Sequence, residues 1–230
     1  MFLDGSRVSK CLGPQSRHRA SSYATPSNVQ VVKGYLGCPQ LFIAGERALL
    51  AHRSVAVVGS RIASDASLAL AAAVARELVG LEVVVISGLA AGVDTAAHCA
   101  AIEAGGRTVA VIGTELGRAC PRENSVLQEH LYREHLLVSP FAPGTITRPS
   151  HFPMRNRVMA VLALATVVVA AGEMSGTRHQ VRECLARGRR VLVSRHLVRA
   201  VTWVRELHEA GHVVAWDDPR ELRKVVQESV

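Results

Sequence analysis

Two kinds of residue in this chain could meet a ligand: small residues that close apolar runs, and arginines gathered around a lone aromatic. The small residues stand at Gly59-Ser60-Arg61, Ser87-Gly88, Gly113-Thr114 and Ser175-Gly176-Thr177. Glycine lets a backbone approach a ligand closely, and the N–H groups that open a helix favour anions. Arg61 follows the first run directly, where its charge faces the mouth of any crevice. The aromatic is Phe152, in the stretch His151-Phe152-Pro153-Met154-Arg155-Asn156-Arg157. Arginines for phosphates and an aromatic for stacking a base are the minimal kit for single-stranded nucleic acid. A plainer reading stands beside it, with Phe152 plugging the end of a sheet and Arg155 capping internal carbonyls.

Other candidate chemistry is thinner. Asp94 falls in the first turn of a helical stretch, where a carboxylate either complements the positive helix end or reaches a ligand. His98, one turn on, could hydrogen-bond it. No nucleophile stands at useful spacing, so the two do not make a catalytic dyad. A glycine-rich phosphate loop is missing, and no G-x-G-x-x-G follows the first strand. A Walker-type ATPase and an ordinary dinucleotide oxidoreductase are therefore not indicated. The five cysteines, Cys11, Cys38, Cys99, Cys120 and Cys184, show no C-x-x-C spacing. They read as buried free thiols in a reducing compartment, without a metal or a disulfide framework.

The elements that would position these residues alternate in type. Short apolar runs predict strands at 54–59, 82–87, 107–112, 136–139, 165–171, 190–194 and 212–216. Helices are expected at 65–78, 91–104, 121–135, near 154–164, near 178–187, and at 197–210 and 218–228. Ser64 or Asp65 would cap the first of them, and Pro121 would open the third. A loop rich in proline and glycine fills 140–153. The alternation implies one α/β domain, an extended Rossmann-like, doubly wound and mainly parallel sheet with helices on both faces. Ligands bind such sheets beyond the carboxyl ends of the strands, near the point where strand order reverses. The domain is expected to span 35–230, after a weakly ordered lead over 1–34.

Composition fits that fold. Val, Ala, Leu and Ile supply most of an apolar content of 49% while aromatics reach only 4%, as in sheets buried on both faces. Lys10, Lys33 and Lys224 are the only lysines, so arginine carries nearly all the positive charge. Between Arg148 and Arg199 ten arginines face two acids, Glu173 and Glu183, a surplus equal to the formal charge of +8. Such a local surplus is the footprint of a polyanion site. There is no apolar run of membrane-spanning length and no apolar signal core, so the expected setting is the cytoplasm.

In order and spacing, the motifs resemble those of the DprA/Smf family of DNA-processing proteins. They are Gly59-Ser60-Arg61; Ser-Gly-Leu-Ala-Ala-Gly-Val-Asp-Thr-Ala-Ala-His over 87–98; Thr-Val-Ala-Val-Ile-Gly over 108–113; Pro121 with Asn124; Pro143-Gly144; and Phe152 to Arg157. Pro39-Gln40-Leu41-Phe42 with Gly45 resembles the lead-in to the family's first strand, and the likeness covers roughly 35–195. It implies a Rossmann-type domain that binds single-stranded DNA in a basic pocket. It also implies a homodimer that protects incoming strands and loads a RecA-type recombinase, without catalysis or cofactor. By the same resemblance Arg61, Phe152, Arg155, Asn156 and Arg157 would line the pocket. Backbone donors would come from Gly59, Ser60, Gly88, Ser175, Gly176 and Thr177, and Arg178 would add a further cation.

The chain departs from the family pattern at several points. Ala91 stands where an arginine is usual, and Cys120-Pro121 where a Tyr-Pro is usual. Ser175-Gly-Thr-Arg-His-Gln-Val181 replaces a Ser-Gly-Ser-Leu-x-Thr-Ala stretch, and Arg195-His196-Leu197 a Pro-Gly. Appended helical and winged-helix modules are not visible, which gives the expectation of a trimmed, stand-alone member. A second class of function is a nucleotide sensor, or an enzyme like the nucleoside-monophosphate phosphoribohydrolases of the same superfamily. Their Pro-Gly-Gly-x-Gly-Thr-x-x-Glu signature is absent, since Gly176-Thr177 is followed only by Glu183.

Overall fold

A computed structural model of the chain describes residues 26–227. Its centre is β3 (Ser54–Val58), five residues that are all buried. The pleat sends Val55 and Val57 to one apolar layer and Ala56 and Val58 to the other, so a continuous apolar run is what this strand requires. The chain then winds through α1 (Asp65–Gly80), β4 (Val84–Ser87), α2 (Val93–Glu103), β5 (Thr108–Val111), α3 (Ser125–Glu134) and β6 (Leu136–Ser139). Ser64 caps α1, its Oγ accepting the Ser67 N–H at 3.2 Å. Leu68, Ala71, Val74, Ala75 and Leu78 form the buried stripe of α1 at helical spacing.

The second half supplies α4 (His151–Leu162), β7 (Ala165–Val168), α5 (Thr177–Leu185), β8 (Arg190–Ser194), α6 (Arg195–Ala200), α7 (Thr202–Glu209), β9 (Val214–Trp216) and α8 (Leu222–Gln227). Strands β3 to β9 pair in parallel. The order β6-β5-β4-β3-β7-β8-β9 reverses between β3 and β7, so the sheet is doubly wound about that point. One layer packs α1, α2 and α8 on Val55, Val85 and Leu192. The opposite layer packs α4, α5, α6 and α7 on Ala56, Val111 and Val193, through Met159, Val181, Leu197 and Trp203. Among the described residues no helix is long and apolar enough to cross a membrane.

Four features differ from the sequence expectations. An antiparallel hairpin, β1 (Gln30–Tyr35) and β2 (Cys38–Gly45), extends the sheet beyond β6, so the fold starts inside the expected lead; the rest of that lead, 1–25, lies outside the described residues. The helix expected near 154 begins at His151, with Phe152 and Pro153 in its first turn. The expected helix over 197–210 breaks at Val201, whose backbone is extended (φ −129°, ψ 118°). Of the cysteines expected to be buried, Cys38 and Cys184 are, Cys99 is partly covered, and Cys120 is exposed because it lies in the turn beyond β5; none of these four is in a disulfide, and Cys11 lies outside the described residues.

Candidate nucleic-acid interface

The reversal between β3 and β7 opens a crevice of about 520 Å³ at the carboxyl ends of the strands. One wall is Gly59-Ser60-Arg61-Ile62, directly after β3. The facing wall is the turn after β7, with Gly172, Met174, Ser175 and Gly176, continued by Thr177, His179 and Gln180 on α5. The floor is the start of α4, which contributes Phe152, Arg155, Asn156 and Met159. A helix leaves its first N–H groups without intrahelical partners, so Pro153 as the third residue of α4 costs no hydrogen bond. That is why the helix reaches back far enough to carry Phe152 into the crevice.

Phe152 and Arg155 are seated by glycines at two strand ends. A Cβ on Gly113, just beyond β5, would stand 2.7 Å from Phe152 Cδ1. On Gly88, after β4, a Cβ would overlap the Arg155 guanidinium. Arg155 is buried and donates from Nη1 to the Val111 carbonyl at 2.7 Å. Its burial lowers the guanidinium pKa, and the charge of Asp94 opposes that shift. Asp94 is buried beside it and accepts the Ala90 N–H at 3.3 Å. Burial raises its carboxyl above the usual range, against the pull of Arg155. Arg155 thus caps an internal carbonyl, as the plainer sequence reading had it.

Arg61 is the opposite case. It is exposed, and its guanidinium carbon lies 5.3 Å from the centroid of the Phe152 ring. Such a cation over an aromatic face is held weakly and leaves its donors open to an anion. It has no ion-pair partner among the described residues.

The β7–α5 turn is tied on both sides. Ser175 Oγ accepts the Thr177 N–H at 3.2 Å and donates to Thr177 Oγ1 at 2.9 Å. From α7, Trp203 Nε1 donates to the Gly172 carbonyl at 3.1 Å, and the Thr202 N–H donates to Glu173 Oε1 at 2.6 Å. The Ser175 N–H bonds the Gly172 carbonyl at 3.2 Å and the Thr177 N–H is taken by Ser175 Oγ, so two of the backbone donors expected to be free for a ligand are spent inside the turn.

Of the residues expected at the site, Gly59, Ser60, Arg61, Phe152, Arg155, Asn156, Ser175, Gly176 and Thr177 line the crevice. Three stand apart. Gly88 is covered by Arg155 and can offer a ligand nothing. Arg157, on the outer side of α4, pairs with Glu183 at 3.5 Å. Arg178 is exposed on α5 with its guanidinium 5.9 Å from the Trp203 ring centroid. His98 does not bond Asp94: its Nδ1–H meets Thr108 Oγ1 at 2.7 Å, because that hydroxyl spends its own proton on the Val85 carbonyl. Ile62 and Met174, 76% and 99% exposed on the two lips, had no periodic signal that could have found them. Gln180 was legible only as sharing a helix face with Thr177.

Comparison with known proteins bears on the family and the fold. The profile of the family described as DNA recombination-mediator protein A matches residues 20–212. The chain is 42% identical over 153 residues to the DNA processing protein DprA of Streptococcus pneumoniae, covering 66% of this chain and 53% of that protein. The crystallographic structure of the Streptococcus pneumoniae protein superposes with a TM-score of 0.77 at 30% identity, covering 87% of this chain and 75% of that one. A Helicobacter pylori DNA processing protein A, solved for its single-stranded DNA binding mode, gives a TM-score of 0.77 at 21% identity over 87% of this chain and 96% of that one. The chain spans about half the length of the curated relatives it matches.

Proposed function

The chain belongs to the DNA recombination-mediator protein A family, and on that premise we propose that it holds single-stranded DNA at the β3–β7 crevice and passes it to a RecA-type recombinase, acting in the cytoplasm as a homodimer. The observation that carries this reading is the exposed Arg61 guanidinium over the Phe152 ring, at the mouth of a crevice on the switch point of a doubly wound sheet. A cation for phosphate beside an aromatic for a base suits an unpaired strand and not a duplex, whose base faces are hidden.

Fluorescence anisotropy with single- and double-stranded oligonucleotides at two salt concentrations tests it. Single strands should bind more tightly, with affinity falling steeply as salt rises and counterions are released. Arg61→Ala should weaken binding, and Phe152→Ala should cost about 1–3 kcal/mol if the ring stacks a base. Equal affinity for duplex and single strand, or indifference to both substitutions, removes the reading. A nucleotide-cleaving enzyme would need a carboxylate free to exchange protons with its substrate. Asp94 is the acid of the crevice lining, and it is buried beside Arg155 and bonded to the Ala90 N–H. Release of free base from nucleoside monophosphates would reverse this ranking.

A further inference from the structure

We propose that the strand leaves the crevice over the β7–α5 lip and continues along α5, with a base against Met174 and successive phosphates on Arg178 and Arg182. This rests on the crevice as the strand's seat and adds a second contact surface to it.

Three observations carry the path. First, α5 starts inside the crevice and runs out of it: Thr177 and Gln180 line the wall and are buried, whereas Arg178 and Arg182 are exposed. Residues four apart share one face of a helix, so the two side chains leave α5 about one turn apart, ~5.4 Å along its axis. Second, the nearby acids do not neutralise them. Glu183 is taken by Arg187 at 2.6 Å and Arg157 at 3.5 Å. Glu173 feels the charge of Arg178 but accepts the Thr202 N–H. Arg182 has no ion-pair partner among the described residues.

Third, Met174 stands 99% exposed on the lip between crevice and helix. A polarisable thioether left wholly in water gives the fold nothing, and it suits the face of an unstacked base. The lip beneath it is fixed by the Trp203–Gly172 and Thr202–Glu173 hydrogen bonds, and Trp203 also carries Arg178 above its ring. The surface is therefore built in advance of the ligand. A duplex would meet the two arginines but has no base face to offer Met174.

The test compares four proteins for binding to fluorescein-labelled oligothymidylate across a salt series: wild type, Arg178→Gln/Arg182→Gln, Met174→Ala, and the control Arg47→Ala/Arg76→Ala, two exposed arginines outside the crevice lining, in the turn before β3 and in the last turns of α1. Each phosphate contact with a single strand contributes about 0.7 to the slope of log affinity against log salt. The α5 double variant should therefore be shallower than wild type by about 1.4, while the control keeps the wild-type slope. Met174→Ala should lose roughly two- to tenfold in affinity with the slope unchanged. In the wild type, bound oligothymidylate should protect Arg178 and Arg182 from phenylglyoxal and leave Arg47 reactive, which keeps the test independent of any variant's folding. A wild-type slope in the α5 variant, or no protection of these arginines, overturns the path and leaves the crevice standing. If the wild type binds no single strand at all, the crevice reading falls as well. A Met174→Ala protein that keeps wild-type affinity for oligothymidylate overturns the role of Met174.

Discussion

Arg61 and Arg155 carry the same group and do opposite work. Arg61 lies in water over an aromatic ring, whereas Arg155 is buried, bonded to Val111 and faced by Asp94. Removing the first should leave folding within about 0.5 kcal/mol of wild type. Removing the second leaves the buried Val111 carbonyl without its donor and takes away the charge beside Asp94, a change on the order of 1–3 kcal/mol. Arg155→Ala should thus lower the denaturation midpoint sharply, and Asp94→Asn in the same chain should restore part of it. Arg61→Ala should lose strand affinity at an unchanged midpoint. Urea titrations beside anisotropy separate the two, and an Arg155→Ala protein with wild-type stability would contradict the division. The sequence alone could not make this distinction. Both arginines follow small or apolar residues, and only the depth of the α4 start decides which one reaches water.

At the scale of elements, the crevice depends on α4 lying close against the ends of β4 and β5. Gly88 and Gly113 permit that approach, since a methyl group at either would meet Arg155 or Phe152. Gly113→Ala should push the Phe152 ring away, costing about 1–3 kcal/mol of stability and lowering strand affinity with it. If affinity and melting temperature both stay at wild type, the docking is looser than the 2.7 Å contact implies. These glycines were legible as ligand-approach points, and two of the four strand ends proved to be filled by the protein's own side chains. The central strands were plain from their apolar runs. The β1–β2 hairpin was not, because in β1 only Val32 is buried and an edge strand carries no apolar run. The start of α4 was hidden for a related reason: Pro153 reads as a loop residue until its place in the first turn is known.

The whole molecule should register acid through two buried histidines at the neighbouring starts of β5 and β6. His98 joins α2 to β5 through Thr108, and burial, followed by the charges of His135 and Arg155, lowers its pKa from 6.5 to about 3. His135 opens onto β6, and its carbonyl accepts the Glu46 N–H at 2.7 Å, linking the hairpin to the parallel sheet; burial, with the nearby His130 and Arg107, takes its pKa to about 4. Both imidazoles are neutral in the folded chain and protonate more readily when it unfolds. Their contribution is complete above the unfolded value of 6.5 and is lost as pH falls towards about 4 for His135 and about 3 for His98. In that window the unfolded state binds more protons, so stability should drop by about 1.4 kcal/mol per pH unit for each histidine. Urea midpoints between neutral pH and pH 5 should therefore fall steadily, and His98→Leu should remove about half of that slope. Because His98 ties α2 to β5 and His135 leads into β6 of the same sheet, both losses should appear in one transition. A midpoint flat over this range would show that water reaches these rings in the folded protein. Two separate transitions would show that the hairpin is not part of the same cooperative unit.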